Sequence, residues 1–468
     1  MATEREEVVS GFSNTMTAKC RVVRELDVTR VRRELVEVEK SQSLCARGSG
    51  ISYADMILND QNSILDFSNL DKVLEWDPLE GVILVEAGVK IGAVLRLAHQ
   101  HDWHLHCCPG SPDITIAGAV SNNVHGKDSS SFGNFGKQVL EIKMLGTDGR
   151  EYHLRADQAS DATLLEAIIG GIGLIGIIIE VKLQLRRIPS PFVITKNEIS
   201  PNIETTLENL DRDDGYPFKV AWCDAFAKGD SLGRGYVSMA CWDKSDKNLE
   251  LKRLSKSLQP SKRVLDLFPP KSFWYCGRPF FGAYAIKKLN SLMYTRALMS
   301  DRLSKGTSPH RQLFSEYNFV HNKLPNMNDV YKPHGFIEIQ PLIPRSAGHE
   351  AVRALLDLCQ RKGWQSLLCG IKRHSPDQYM LSYADDGYSI GIDVALRGRT
   401  KSDVVKIANM IFDFVIECKG RVYLAKDELL PPEKFAEMYP RLSEFVALKN
   451  RMDPGKVLMS DMGRRLKI

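Results

Sequence analysis

Apolar and polar positions along this chain repeat with two different rhythms, and the change of rhythm marks its organisation. Leu44-Cys45-Ala46 leads into the loop Arg47-Gly48-Ser49-Gly50-Ile51-Ser52-Tyr53, and an apolar run returns at Ser63-Ile64-Leu65-Asp66-Phe67, which reads as strand, glycine loop, strand. Val82-Ile83-Leu84-Val85 is a continuous apolar strand closed by Ala87-Gly88, and Ile91, Val94, Leu95 and Ala98 then fall at helical spacing. Residues 109–136 read as loop. Residues 139–145 and 151–154 flank Asp148-Gly149 and predict a hairpin. Four glycines in residues 170–176 precede a long strand in which Val181, Leu183 and Leu185 alternate with Lys182, Gln184 and Arg186. Pro189 and Pro191 mark a boundary.

Beyond that boundary, alternating runs at residues 218–226, 234–242, 335–343, 366–374, 379–383 and 388–396 predict strands. Two amphipathic helices interrupt them. One carries Val352, Leu355, Leu356 and Cys359; the other carries Val404, Ile407, Ile411, Phe414 and Val415 and stops at Lys419-Gly420. Strands in runs with few helices between them predict an antiparallel sheet with helices packed against it. Residues 244–288 differ from both parts: seven Lys or Arg lie between Lys244 and Arg263, and Phe268, Phe273, Trp274, Tyr275, Phe280, Phe281 and Tyr284 follow. This is either a solvated basic loop followed by core, or a surface that meets an anionic membrane.

Composition narrows the class. The 468 residues are 43% hydrophobic and 26% charged with a net charge of +5, which excludes a disordered tail, a collagen-like repeat and a disulfide miniprotein. The charge is too small for a main ligand of nucleic acid. Ten scattered cysteines form no CxxC pair, and the N-terminus is polar and acidic, so a cytoplasmic chain with free thiols is expected. Residues 167–179 are uncharged but stop at Glu180, short of the roughly 20 residues that a membrane span needs.

Several stretches hold chemistry-bearing residues, each with an ordinary reading beside it. Glycines two apart in Gly48-Ser49-Gly50 can turn backbone N–H groups inward around a phosphate, though such a pair is commonly only a turn. The small-residue run from Pro109 to Lys127 can wrap a flat polar ligand, with His125 and Lys127 facing a reacting group; a lone His is as readily structural. Gly170-Gly171-Ile172-Gly173-Leu174-Ile175-Gly176 permits close approach by a ligand, or a sharp bend in a core strand. His104, His106 and Cys108 would share one strand face, but no second ligand pair stands at zinc-like spacing, so no metal is expected. Lys426, beyond Tyr423, can bind an anionic ring atom or act as a base when desolvated, or simply be exposed.

Taken together, the three glycine loops resemble the FAD-binding domain of the vanillyl-alcohol oxidase / para-cresol methylhydroxylase superfamily. The motifs His125-Gly126-Lys127, Phe132-Gly133-Asn134, Gly420-Arg421-Val422-Tyr423-Leu424-Ala425-Lys426-Asp427 and Ser460-Asp461-Met462-Gly463-Arg464-Arg465-Leu466 resemble its decaprenylphosphoryl-β-D-ribose 2′-oxidase family more closely. The resemblance implies an α+β two-domain flavoprotein. Residues 1–187 and 420–468 would form the FAD domain, and residues 188–419 an inserted substrate domain with an antiparallel sheet and flanking helices. It implies that Gly48, Ser49, Gly50, Ser52 and Tyr53 line the flavin pyrophosphate and ring. Pro109, Gly110, Thr115, Gly118, Ala119, Asn122, Asn123, His125 and Gly126 would wrap the ring and ribityl chain. Gly171, Gly173, Gly176 and Ile177 would hold the adenine side, with Tyr423 and Lys426 at the flavin face. Lys127, Gln340, Lys372, Glu338 and Gly391 would face the substrate, and Lys426, His125 and Tyr53 would form the catalytic set.

The implied reaction oxidises the 2′-hydroxyl of a ribose on a polyprenyl phosphate to a keto sugar, which a separate short-chain reductase converts to the epimer. Flavin supplies the redox chemistry and the protein supplies position and electrostatics. A cytoplasmic chain peripheral to the membrane through residues 244–288 would suit such a substrate. Ile51 stands where covalent members carry a histidine, so the FAD is expected to be non-covalent. Glu338 replaces a glutamine and Gly391 a pocket cysteine. A sugar-lactone or alditol oxidase is the alternative, although its His-Trp-Gly-Lys type motif is absent around 423–426; a flavin-free binding protein is a further one.

Overall fold

The computed structural model describes residues 4–303 and 310–468, apart from residues 40, 54, 246–250, 265–266, 279–281 and 367. Lys247, Phe280 and Phe281 of the basic and aromatic stretch lie outside the described residues.

Two sheets build the N-terminal part. A hairpin of Glu4–Ser10 and Thr17–Val23 joins Ser63–Asp66 and Leu44–Arg47, the last two pairings being parallel. The helix Val28–Glu37 makes the crossover; Asp27 caps it by accepting from the Arg30 N–H at 2.6 Å. The second sheet is antiparallel, ordered Val73–Asp77, Val82–Glu86, Ile177–Gln184, Val139–Leu145, Glu151–Arg155. Its central strand follows the glycine run, and Val181 and Leu183 are fully buried as the alternation predicts. Residues 109–136 are not all loop. Ile116–Ser121 is a short helix capped by Thr115, and it is pinned by Ile116 N–H to Val89 O at 2.7 Å and Ala117 N–H to Ala87 O at 3.1 Å. Its small residues let it lie close against the neighbouring backbone.

The second part is an eight-stranded antiparallel sheet, ordered His310–Leu313, Phe192–Ser200, Gly235–Trp242, Phe218–Cys223, Cys369–His374, Gly387–Ile390, Pro341–Pro344, Arg421–Val422. The helix His349–Arg361 buries the four apolar positions its spacing predicts, whereas Lys401–Glu417 buries Val404, Ile411 and Val415 of the expected set, leaves Ile407 and Phe414 half-buried, and buries Ala408 and Phe412 instead. The second helix stops at Lys419-Gly420, as expected. Lys419 takes the left-handed conformation with φ +56°, and Gly420 serves close packing, because a Cβ there would lie 2.4 Å from Leu342 O.

Two predicted strands are each broken in the middle. Phe336–Ile339 pairs with Ile392–Ala395 as a separate ribbon, while Pro341–Pro344 and Gly387–Ile390 pair within the large sheet. The breaks fall at Gln340, ahead of a proline that has no N–H to donate, and at Gly391. Residues 379–383 form a turn, not a strand, with Met380, Leu381 and Tyr383 buried. The segment from residue 420 starts inside the large sheet, through Arg421–Val422, before it crosses to the N-terminal part. There Arg465 ties both ends of the chain together: Nε donates to Asp55 at 2.6 Å and Nη1 to Asp427 at 2.9 Å. Among the described residues, no helix is long and apolar enough to cross a membrane.

Candidate active site

Two cavities meet where the parts join. The first, of about 200 Å³, lies between the loop at residues 46–53, the helix Ile116–Ser121 and the glycine run. The second, of about 270 Å³, lies over the strand breaks of the large sheet. Tyr53 and Lys426 line both.

The first cavity gathers Gly48, Ser49, Gly50, Ser52, Tyr53, Thr115, Gly118, Asn122, Gly173, Gly176, Tyr423 and Lys426 from the expected set. Ile51 is also in its wall. Several observations fit a dinucleotide there. Arg47 Nη1 and Asn122 Oδ1 are buried without a hydrogen-bond partner among the described residues, so each is an unused donor or acceptor at the wall. Among the described residues the N–H groups of Ser49, Gly50 and Ile51 meet no hydrogen-bond acceptor, and Gly50 holds the turn at φ +69°. A Cβ at Gly173 would meet nothing within 4 Å, so that glycine borders open space.

The second cavity gathers Gly110, Gly126, Lys127, Glu338, Gln340, Lys372 and Gly391. Its centre is an ion pair: Lys426 Nζ lies 2.5 Å from Glu338 Oε1, and 5.0 Å from the Tyr53 ring centroid. Burial, followed by the Glu338 carboxylate that its hydroxyl meets, raises Tyr53 well above the ordinary phenol value and keeps it a donor. Burial, with Lys372 nearby, lowers Lys127 to about 7; its Nζ donates to Tyr317 O at 2.7 Å. Burial, with Lys426 nearby, lowers Lys372 to about 8. Three lysines thus surround one space, and the neighbouring positive charges are disposed toward an anion.

Six expected residues line neither cavity. Ala119 and Ile177 are core, at 0% and 1% exposure, because each faces away from its loop into a sheet. A Cβ on Gly171 would lie 1.9 Å from Ala167 O, so this glycine serves chain packing. Asn123 braces the loop, donating to Asp377 at 2.7 Å and accepting from Gly136 N–H at 3.0 Å. Pro109 offers its carbonyl to Asn318 at 2.8 Å. His125 is a buried positioning residue behind the wall. Gln340 Nε2 donates to its Nε2 at 3.0 Å, and Lys372 Nζ lies 3.4 Å from its Nδ1. Burial, then Lys372, lowers its pKa well below the ordinary imidazole value, so it is neutral.

The wall also holds residues that sequence reasoning missed. Asp393 lines the second cavity, and burial raises its carboxyl to about 6. The signal was a lone carboxylate in the apolar run 388–396. His321 lines the same cavity without any sequence signal. Tyr383 accepts from Gln340 at 3.1 Å and so supports the wall from behind. The cluster His104 to Cys108 does not converge on one point; His99 Nε2 lies 2.9 Å from His104 Nδ1 instead. Among the described residues, no three His, Cys, Asp or Glu side chains gather as metal ligands.

A loop-bounded cavity with unused polar groups, opening past a lysine onto a second charged cavity, suits a bound redox dinucleotide beside a small polar substrate. Comparison with known proteins agrees. A family model for an FAD binding domain matches residues 27–155, and one for D-arabinono-1,4-lactone oxidase matches residues 332–466. Both matches and the full-length relatives support an FAD-linked oxidase, and FAD is its cofactor. The chain is 26% identical to the decaprenylphosphoryl-beta-D-ribose oxidase of Mycolicibacterium smegmatis over 437 residues, 92% of this chain and 90% of the relative. It is 22% identical to the L-gulono-1,4-lactone dehydrogenase of Mycobacterium tuberculosis over 444 residues, 92% and 91% of the two chains. A shorter match to the L-gulonolactone oxidase of Mus musculus is 23% identical over 181 residues, 38% of this chain and 40% of that one.

Proposed function

We propose that the protein oxidises a secondary hydroxyl of a sugar, the 2′-hydroxyl of a polyprenylphosphoryl ribose, to the keto sugar. This is the first half of an epimerisation that a separate short-chain reductase completes. The observation that carries this reading is the enclosure of one cavity by Lys127, Lys372 and Lys426, which matches an anionic sugar phosphate better than a neutral lactone. The match to the ribose oxidase over 92% of the chain supports it.

Bound FAD supplies the acceptor for the hydride that leaves the carbinol carbon. Tyr53 and Lys426, lining both cavities, position the substrate between them. Lys426, paired with Glu338, meets the substrate oxygen and relays its proton: as Nζ takes the hydroxyl proton it gives one of its own to the Glu338 carboxylate. The hydroxyl proton passes by way of Nζ of Lys426 to Oε1 of Glu338, 2.5 Å away. Gln340, braced by His125 and Tyr383, orients a second hydroxyl. Ile51 in the wall has no atom that bonds to the flavin, so FAD is held without a covalent link there; acid precipitation then releases the yellow cofactor into the supernatant.

Oxidation of an uncharged sugar lactone or polyol is the second reading. It is favoured by the match of residues 332–466 to D-arabinono-1,4-lactone oxidase and by the carboxylate at Glu338, which can accept from sugar hydroxyls. Anaerobic bleaching of the flavin separates the two. Polyprenylphosphoryl ribose is expected to bleach it, and soluble polyols and lactones are not. Bleaching by lactones alone overturns the first reading.

A further inference from the structure

Residues 244–303 hold thirteen Lys or Arg against four Asp or Glu, a net +9 in a chain whose total is +5, so the rest of the chain carries −4. The basic charge of this protein is therefore local. Exposed apolar side chains concentrate in the same segment. Leu267, Phe268, Tyr275 and Tyr284 are 65%, 48%, 70% and 75% exposed. Among the described residues, no Phe, Tyr or Trp outside this segment is exposed to that degree.

The helix Ala283–Leu303 shows how the two properties are arranged. Ile286 and Asn290 are buried, while Tyr284, Lys287, Lys288, Leu292, Arg296 and Met299 face outward. Lys287, Lys288 and Arg296 make no salt bridge among the described residues. Asn290 and Ser291 fasten the helix to Asp224 and Arg234, so its outward face is set by the fold. Ala297, Ser300 and Asp301 of the same helix line a cavity of about 640 Å³, and that cavity shares Lys127, Val220 and Gly370 with the substrate-side cavity.

We propose that this surface docks on an anionic lipid bilayer. Its Leu, Met and aromatic side chains enter the headgroup layer, and its lysines and arginines meet lipid phosphates. A merely solvated basic face would carry no such apolar side chains, and a nucleic-acid surface would have no use for Leu292 and Met299 beside the charges. Docking in this way brings the opening beneath the helix to the membrane, on the path to the substrate-side cavity. The proposal goes beyond the reaction proposed above and does not depend on which sugar is oxidised.

The test is co-sedimentation of the purified holoenzyme with vesicles of phosphatidylcholine alone and of phosphatidylcholine with phosphatidylglycerol. Binding is expected only with phosphatidylglycerol, weakening as salt rises. Reversing Lys287→Glu and Lys288→Glu together is expected to lower partitioning at least tenfold, since each cation near such a surface is worth about fivefold. Tyr284→Ser with Leu292→Ser is expected to lower the binding that persists at high salt. Unchanged flavin absorbance and thermal midpoint establish that the variants fold. Failure to bind phosphatidylglycerol vesicles, equal binding by the charge-reversed variant, or displacement of the vesicles by short duplex DNA at equal charge would each overturn the proposal.

Discussion

The two cavities are walled in opposite ways. The first is bounded largely by glycines and small residues from three loops of the N-terminal part, closed by Tyr423, Ala425 and Lys426 of the C-terminal segment. The second is bounded by ionisable side chains that stand far apart in sequence: Lys127, Glu338, Lys372, Asp393 and Lys426. A dinucleotide needs close backbone approach, which only small residues permit, so its site is written as contiguous runs. On the proposed reading, a sugar with an anionic group would meet a few point charges there, which single residues from separate strand ends supply.

That contrast can be broken from either side. The largest expected effect strikes both cavities at once. Arg465→Ala leaves Asp55 and Asp427 buried without their partner, at 1% and 0% side-chain exposure, and a loss of about 3–5 kcal/mol is expected in urea unfolding. A loss under about 1 kcal/mol would show that the chain ends are not joined there.

Lys426→Met should separate the cavities functionally. Flavin content stays near wild type, while the rate of flavin reduction by substrate falls by roughly 10²–10⁴-fold, the range for losing a positioned proton relay. Stopped-flow absorbance measures it; a variant reduced at the normal rate removes Lys426 from the mechanism. Arg47→Ala acts on the other side. It removes a guanidinium whose Nη1 has no partner among the described residues, so FAD affinity should fall roughly ten- to a hundredfold in a reconstitution titration, while substrate affinity of the reloaded enzyme is unchanged.

The pH dependence tests the second cavity alone. Lys127 and Lys372, at about 7 and about 8, lose their positive charge as pH rises through those values. KM for a phosphorylated sugar should therefore rise from pH 6 to pH 9, and KM for an uncharged sugar should stay flat. Parallel profiles would mean that the lysines do not meet the anionic group. The smallest effect is local to the first cavity. Thr115→Ala removes the cap on the Gly118 N–H, 3.3 Å away, and should cost about 1 kcal/mol in urea unfolding with little change in turnover.

Legibility in the sequence follows the same division. The glycine loops, the hairpin, the long strand at Ile177–Gln184 and the two amphipathic helices announce themselves through local composition and period. The breaks at Gln340 and Gly391 do not, because a strand that changes sheets keeps its apolar alternation on both sides of the break. Within the glycine runs, residue type could not separate walls from packing. Gly173 borders open space while Gly171 is pressed against Ala167, and the two look alike in sequence. His125 stands in a ligand-like motif, yet the fold turns it behind Gln340 and Lys372.

By itself the sequence determined where the glycine-rich loops lie and that a mainly antiparallel part follows, since both rest on local spacing and backbone freedom; the nucleotide came from the resemblance those loops carry. It also placed the basic and aromatic residues together. Only the tertiary structure decided which lysines share a cavity, that Glu338 holds Lys426, and that Arg465 binds both chain ends. Those facts depend on strands distant in sequence meeting at fixed register, and burial then sets the charge of each group they bring together.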